Sequence, residues 1–383
     1  MIKVLHFYKT YYPDSFGGIE QVIYQLAEGG VEKGISTDVL SVTPADKDSC
    51  EIISQHTAHK VRQDFSIASN PFSFRVIKKF KELSEQADII HYHFPWPYMD
   101  LVHFLSGVNK PTVVSYHSDI IRQKNLLRLY KPLMHLFLRK IDCIVATSPN
   151  YVATSDVLEM FKNKVSVIPI GLDKETYPVP EPSRLEKWQR QLGQPFFLFI
   201  GTLRYYKGLH ILLEAAIGAN YPIVIVGAGP IESELREQAQ NLGLKNVHFL
   251  GALPDEDKSA LLTLSYGIVF PSHLRSEAFG ISLLEGAMYR KPMISSEIGT
   301  GTTFINVNDQ TGLVIPPSDP SALRKAMDKL WDHPKLAETF GNKAYERYEE
   351  MFTSKQMVEA YAKIYESLLG RHNKPDWNGL AGY

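Results

Sequence analysis

Apolar residues recur along this chain in two alternating rhythms, short unbroken runs and longer stretches with helical spacing. Residues 2–8, IKVLHFY, form a run that ends before Pro13 and the pair Gly17-Gly18, which predicts a buried first strand and its loop. Ile19, Val22, Ile23, Leu26 and Ala27 then repeat at helical spacing up to Gly34, and TDVLSV at 37–42 returns to a strand. The same alternation predicts strands at 87–93, 111–117, 142–148 and 164–170, with helices at 72–86, 122–140 and 149–161. A second series has strands at 195–201, 221–227, 246–251, 266–272, 291–296 and 312–317. Helices at 208–218, 230–242, 255–264 and 279–289 separate them, and helices at 319–332, 334–350 and 354–369 close the chain. Strand–helix–strand order predicts parallel sheets covered by helices.

Gly171, Pro178, Pro180, Pro182 and Pro195 interrupt the pattern around one short charged helix, which marks a domain boundary. The expected organisation is a domain over 1–177, a second over 178–353, a helix over 354–370 that crosses back to the first domain, and a polar frayed tail over 371–383. A length of 383 residues agrees with two cores better than one. Ligands of open parallel sheets lie beyond the carboxyl ends of the strands, so residues that follow strands carry the functional information.

Composition narrows the class. A formal net charge of −1 does not point to nucleic acid. The two cysteines, Cys50 and Cys143, have no Cys or His at zinc-ligand spacing, which suggests a reducing compartment. The N-terminal segment lacks the apolar run of a signal peptide, and no window is long and apolar enough to span a bilayer. The expectation is a cytoplasmic protein. Residues 122–140, RQKNLLRLYKPLMHLFLRK, combine Arg122, Lys124, Arg128, Lys131, Arg139 and Lys140 with seven Leu or Phe residues and no acid. Two readings stand for this helix: rest on anionic lipid at the inner face of a bacterial plasma membrane, or packing on the sheet with snorkelling cations.

The strongest chemical signal is SEAFGISLLE, with Glu277 in the loop after strand 266–272. Gly280 and Ile281 open the next helix, whose free N–H groups suit an anion, and Glu285 lies about one and a half turns into it. Two isolated acids would more often be solvated, but placement around a helix start after a strand favours a binding role. Arg204 and Lys207 follow strand 195–201 at another helix start and suit a diphosphate. His117 ends strand 111–117 and can donate to a sugar hydroxyl, although an isolated strand-end His is more often a satisfied core residue. His91 and His93 could face one way, but no third His or carboxylate stands at a supporting spacing, so metal is not expected. Aromatic and polar groups together at His93, Trp96 and Asp119 suit a sugar acceptor. Asp46-Lys47-Asp48 and Asp255-Glu256-Asp257 read as local structure, and GAGP at 227–230 lacks the third glycine of a dinucleotide fingerprint.

E-x-F-G-x-x-x-x-E at 277–285 resembles the signature of the family 4 retaining glycosyltransferases. FGGIE at 16–20, SYHSD at 115–119, VIPIGLD at 167–173 and GTLRYYKG at 201–208 extend the likeness through nearly the whole chain. The resemblance implies the α/β GT-B fold, two Rossmann-like domains facing across a cleft, and metal-free transfer from a nucleotide-sugar donor without a cofactor. It implies that Glu277 orients donor-sugar hydroxyls, that Glu285 holds the ribose, and that the backbone of Phe279, Gly280 and Ile281 meets the diphosphate. His117 would lie beside the reacting centre, and Gly17 and Gly18 would approach the phosphates. Lys207 would stabilise the leaving diphosphate, and so would Arg204, which stands two positions after the family's arginine, where this chain has Thr202. Residues 275–306, with GTLRYYKG, resemble bacterial O-antigen mannosyltransferases. That narrower likeness implies GDP-mannose as donor and a lipid-linked oligosaccharide as acceptor. A nucleotide-sugar 2-epimerase and a non-catalytic sugar-nucleotide sensor are the rival readings.

Overall fold

The apolar runs become strands of two parallel sheets, because strands covered on both faces need no polar alternation. The computed structural model describes residues 1–67, 70–120, 124–193 and 195–371. The tail beyond them, expected to fray, lies outside the described residues, as does Arg122 of the basic stretch. The chain divides into a unit formed by Met1–Gly171 with the final helix, and a unit Leu172–Thr353.

The first unit runs β1 (Ile2–Phe7), α1 (Gly18–Gly30), β2 (Ile35–Thr43), β3 (Ser49–Ile53), β4 (His56–Arg62), β5 (Phe65–Ile67), β6 (Asn70–Phe72) and α2 (Phe74–Gln86). It continues with β7 (Ile89–Phe94), α3 (Pro97–Ser106), β8 (Thr112–Tyr116), α4 (Lys124–Lys140), β9 (Cys143–Ala146), α5 (Pro149–Thr154), α6 (Asp156–Met160) and β10 (Val165–Val167). Eight strands form one sheet in the order β10-β9-β8-β7-β1-β2-β4-β3, parallel except for β3 against β4. The order reverses between β1 and β7, so the segments after these strands diverge and leave room beyond the sheet edge.

The second unit runs α7 (Pro182–Leu192), β11 (Phe197–Ile200), α8 (Leu209–Ala215), β12 (Ile223–Val226), α9 (Glu232–Asn241), β13 (Val247–Gly251), α10 (Asp255–Leu264) and β14 (Gly267–Phe270). α11 (Ile281–Met288), β15 (Met293–Ser296), α12 (Thr302–Ile305), β16 (Gly312–Ile315), α13 (Pro320–Asp332) and α14 (Pro334–Met351) complete it. Its six parallel strands take the order β13-β12-β11-β14-β15-β16, the Rossmann order with its switch between β11 and β14. Phe197, Phe199, Ile223, Ile225, Val269 and Ile294 from the strands pack with Leu209, Leu212, Leu323 and Met327 from the helices. The final helix α15 (Ser354–Arg371) belongs to the first unit, where Tyr361 and Tyr365 reach the sheet.

Several elements differ from the pattern-based reading. The stretch 49–62 pairs as β3 and β4, whose short, half-polar alternation carries little apolar signal. The segment after Trp96 turns helical at Pro97, which occupies the first turn, where its missing N–H costs nothing. The expected helix at 149–161 breaks at Ser155, whose side chain accepts from the Leu158 N–H and caps α6. Asp255 and Glu256 stand in the first turn of α10, and Asp257 there is tied to Trp188 and Arg184.

Candidate active site

In the second unit, the loops after β11 and β14 meet at the switch point. His273 N–H donates to the Tyr206 carbonyl at 3.0 Å, and Gly208, at φ +70°, lies so close to the Pro271 carbonyl that a Cβ would sit 2.0 Å from it. Only glycine fits that approach. The contact brings together Lys207 from one loop and Glu277 from the other. The two side chains form a buried ion pair, and Ser272 Oγ donates to the same Glu277 carboxylate at 3.2 Å. Burial works against the Lys207 ammonium, but the Glu277 charge and hydrogen bond outweigh it and hold its pKa above the ordinary lysine value. The ring of Phe270 lies 4.8 Å beneath the ammonium.

The start of α11 follows immediately. Gly280 caps it at φ +101°, a conformation that favours glycine, and Ser282 Oγ anchors the first turn to the Ile200 carbonyl at 2.7 Å. Its first N–H groups therefore emerge beside the carboxyl end of β11, where a phosphate group would find both donors and the helix dipole. Glu285, further along α11, accepts from Tyr177 Oη at 3.0 Å, and burial raises its pKa despite that bond. The sequence offered no signal for Tyr177 or Ser272. Arg204 is exposed, yet near enough to act against the Lys207 charge. An exposed guanidinium in that place is available to an anion.

In the first unit, Gly18 opens α1 and Gly17 precedes it. A Cβ on Gly17 would lie 2.4 Å from Glu20 Oε2, so the absence of a side chain makes room for that carboxylate. Glu20 in turn accepts from Thr10 Oγ1 at 2.7 Å. His117 follows β8, is nearly buried, and is kept neutral by that burial, with its pKa lowered to about 3. Its Nε2 lies 3.0 Å from His93 Nδ1. Asp119 accepts from Tyr116 at 2.9 Å and from Ser155 at 2.7 Å.

Two sequence expectations need correction here. Trp96 is wholly buried, packs edge-on against Phe7, and donates its indole N–H to the Pro71 carbonyl, so it is core and offers no face to a sugar. His93 is equally buried, with both ring nitrogens engaged by other histidines, so it does not line an acceptor surface. The supposed lack of a third histidine beside His91 and His93 also fails. Parallel pairing places His6 of β1 directly beside His91, and the three rings each bring a nitrogen within 4.8 Å of the others. That spacing would suit a divalent ion, but the nitrogens of His91 already face Tyr365 and Ser115, and those of His93 face His6 and His117.

The family described as Glycosyl transferases group 1 matches residues 182–347, and Glycosyltransferase Family 4 matches residues 16–176. The D-rhamnosyltransferase WbpZ of Pseudomonas aeruginosa is 60% identical over 353 residues, which cover 92% of this chain and 93% of that protein. The chain belongs to the glycosyltransferase family. The O-antigen chain mannosyltransferase C of Escherichia coli is 50% identical over 368 residues, covering 96% of this chain and 99% of that one. The structure of a sucrose-phosphate synthase from Thermosynechococcus elongatus superposes with a TM-score of 0.80 at 19% identity, over 97% of this chain and 100% of the other, and shares the GT-B fold.

These relatives correct one expectation. The likeness narrowed to GDP-mannose-dependent mannosyltransferases does not hold, because a D-rhamnosyltransferase shares more identity with this glycosyltransferase than a mannosyltransferase does. What stands is a sugar-transferring enzyme that takes a nucleotide-sugar donor.

Proposed function

We propose that this glycosyltransferase moves a D-rhamnosyl residue, with retention of configuration, from a nucleoside diphosphate onto a lipid-linked glycan of the O-antigen type. The observation that carries the reading is the buried Lys207–Glu277 pair set directly before the start of α11. A diphosphate at that helix start meets N–H donors, the Lys207 ammonium and the exposed Arg204. Glu277 then binds hydroxyls of the donor sugar, and Glu285 binds the ribose. In the first unit taken by itself, His117 is a donor to a sugar hydroxyl, and the Gly17-Gly18 backbone at the start of α1 suits phosphate.

In the proposed step, the bond from the anomeric carbon to the diphosphate oxygen breaks, and the acceptor oxygen bonds to the same face of that carbon. The acceptor proton passes to the departing phosphate oxygen. Glu277 is held by Lys207 and Ser272, which suits positioning better than covalent attack. Cationic groups and helix N–H donors stabilise the leaving group, so the step needs no metal ion. The sugar assignment rests on the 60% identity with a D-rhamnosyltransferase. D-rhamnose and D-mannose differ at C6, where rhamnose lacks a hydroxyl. A site that hydrogen-bonds that hydroxyl rejects the deoxy sugar strongly, whereas an apolar one discriminates weakly.

The acceptor reading places the first unit against lipid. α4 buries Met134, Phe137 and Leu138 on one side and leaves Leu129 82% and Leu136 53% exposed, two turns apart on the other. Arg128, Lys131, Arg139 and Lys140 are exposed around these leucines. Tyr130 of α4 bonds to Asp100 of α3, and α3 carries a further exposed leucine, Leu105. No helix among the described residues is long and apolar enough to cross a membrane. A basic surface with protruding leucines suits anionic headgroups.

The test is a panel of D-rhamnosyl and D-mannosyl diphosphates of guanosine, uridine, adenosine and thymidine, assayed with extracted lipid-linked glycan in excess EDTA. Turnover with a rhamnosyl donor supports the assignment. Turnover with mannosyl donors alone, or activity that requires added Mg²⁺ or Mn²⁺, refutes the sugar or the metal-free step respectively.

A further inference from the structure

Four histidines share one face of the first sheet. His6 lies on β1, His91 and His93 on β7, and His117 just after β8. Three are joined end to end. His6 Nδ1 is 2.9 Å from His93 Nε2, and His93 Nδ1 is 3.0 Å from His117 Nε2. The His93 and His117 rings are within 12° of parallel, and the His6 and His93 rings within 23°. His91 stacks on His93 and lies tilted by 40° against His6, with centroids 4.5 Å from each. It is held in turn by Tyr365 at 2.7 Å and by Ser115 at 2.7 Å, and Tyr361 of α15 bonds to that serine. The rings therefore have little freedom to turn away from one another.

A neutral imidazole carries one N–H and one lone pair. Within the file His6–His93–His117, only two arrangements leave no link broken. In one, His6 Nδ1–H donates to His93, His93 Nδ1–H donates to His117, and His117 keeps its remaining proton on Nδ1. In the other, every donor is reversed and His117 Nδ1 is left as a lone pair. Any mixed arrangement sets two N–H groups, or two lone pairs, against each other in a buried place, which is costly. Burial lowers the pKa of all four rings, so a charged form offers no ready escape.

We propose that His6 and His93 are positioning residues that fix the tautomer of His117, holding its proton on Nδ1 so that this nitrogen donates to a hydroxyl of the sugar substrate. The direction of the file rests on the reading of His117 given above; the coupling between the three rings rests on the hydrogen bonds alone. His6 thus acts on the reaction from two rings away without touching substrate. A buried carboxylate plays the comparable part beside the catalytic imidazole of a Ser-His-Asp triad, where the wrong tautomer lowers kcat by about 10⁴-fold with the geometry intact.

The experiment uses the full chain with ¹⁵N-labelled histidine. Long-range proton–nitrogen spectra report which ring nitrogen of His117 carries hydrogen. The native protein should show Nε2 as the bare nitrogen and Nδ1 as the protonated one. His6→Phe keeps an aromatic ring of similar breadth but ends the file, and should shift His117 toward a tautomer mixture. His93→Phe removes the adjacent partner and should shift it further. Transfer from the nucleoside diphosphate D-rhamnose should lose about 10-fold or more in kcat in both variants, with donor KM little changed. An unaltered His117 spectrum in folded His6→Phe overturns the coupling, and so does a native protein with Nε2 protonated overturn the direction. His117→Ala separates the two readings. Native kcat in that variant refutes the role of His117 in the reaction, while the spectra still decide the coupling.

Discussion

Lys207 and Glu277 touch across 70 residues of sequence, because parallel strands β11 and β14 lie side by side and deliver their following loops to one point. Neither loop explains the contact alone. Gly208 permits the close approach, and the ion pair then closes it.

Removing one member of this pair leaves the other charge buried and uncompensated, which costs on the order of 3–5 kcal/mol. Lys207→Met and Glu277→Leu should each lower the midpoint of chemical denaturation. The double variant Lys207→Met/Glu277→Leu should recover most of that stability and remain inactive. Additive losses in the double variant would show that the two groups are not energetically coupled. Glu277→Gln should retain nucleoside diphosphate affinity while transfer is lost.

Glu285 should behave differently. Burial disfavours its charge, so Glu285→Gln is expected to raise the apparent melting temperature of the free protein. The same change should weaken nucleoside diphosphate binding about 10-fold or more, the worth of a hydrogen bond to a charged acceptor. Titration calorimetry on the variant measures this, and unchanged affinity would remove the ribose assignment.

The buried histidines set an acid limit on stability. His6 and His117 have folded pKa values of about 3, and the unfolded chain titrates near its ordinary value of roughly 6.5. Between these values the unfolded state binds more protons, so stability is complete above about pH 6.5 and is lost as pH falls toward 3. Each such ring contributes a slope of about 1.4 kcal/mol per pH unit within that window. Melting temperatures recorded from pH 7.5 to 4.5 should fall, and His91→Phe should flatten the fall. Parallel curves for the variant and the native chain would place the acid sensitivity elsewhere.

Co-sedimentation tests the lipid-facing surface. The protein should pellet with anionic vesicles, not with neutral ones, and release as salt rises, since exposed charges are screened over roughly 8 Å at physiological ionic strength. Four cations at about 1 kcal/mol each are enough for most of the attraction, so changing Arg128, Lys131, Arg139 and Lys140 to Glu should release the folded protein. Continued pelleting would move the contact elsewhere, with Lys78, Lys79 and Lys81 on α2 the next candidates.

The strands were legible where both faces are covered, as in FLFI of β11 and IVIV of β12, because burial on two sides writes itself as an unbroken apolar run. The pair β3 and β4 was not, since the edge strand β3 and its neighbour β4 keep polar residues such as Glu51, Lys60 and Arg62. For the site, the loops that hold Lys207 and Glu277 could be placed after strands from the pattern alone, but their mutual contact could not. Nor could His6 be joined to His91 and His93. That neighbourhood depends on β1 lying in register with β7, a strand 85 residues away in sequence by the Lys3–Asp88 bond that frames it. Trp96 misled because an aromatic among prolines reads the same whether it faces a ligand or fills a core, and only packing against Phe7 decides.

Product analysis reads the transferred sugar and the stereochemistry of its transfer together. The glycosyltransferase is incubated with a nucleoside diphosphate D-rhamnose and extracted lipid-linked glycan. Mass spectrometry then follows the acceptor, and proton NMR reads the configuration of the new linkage. The expected product is an acceptor heavier by one deoxyhexose residue, joined with the anomeric configuration of the donor, with no product from Glu277→Gln. An inverted linkage, or conversion of the donor without any gain in acceptor mass, would contradict it.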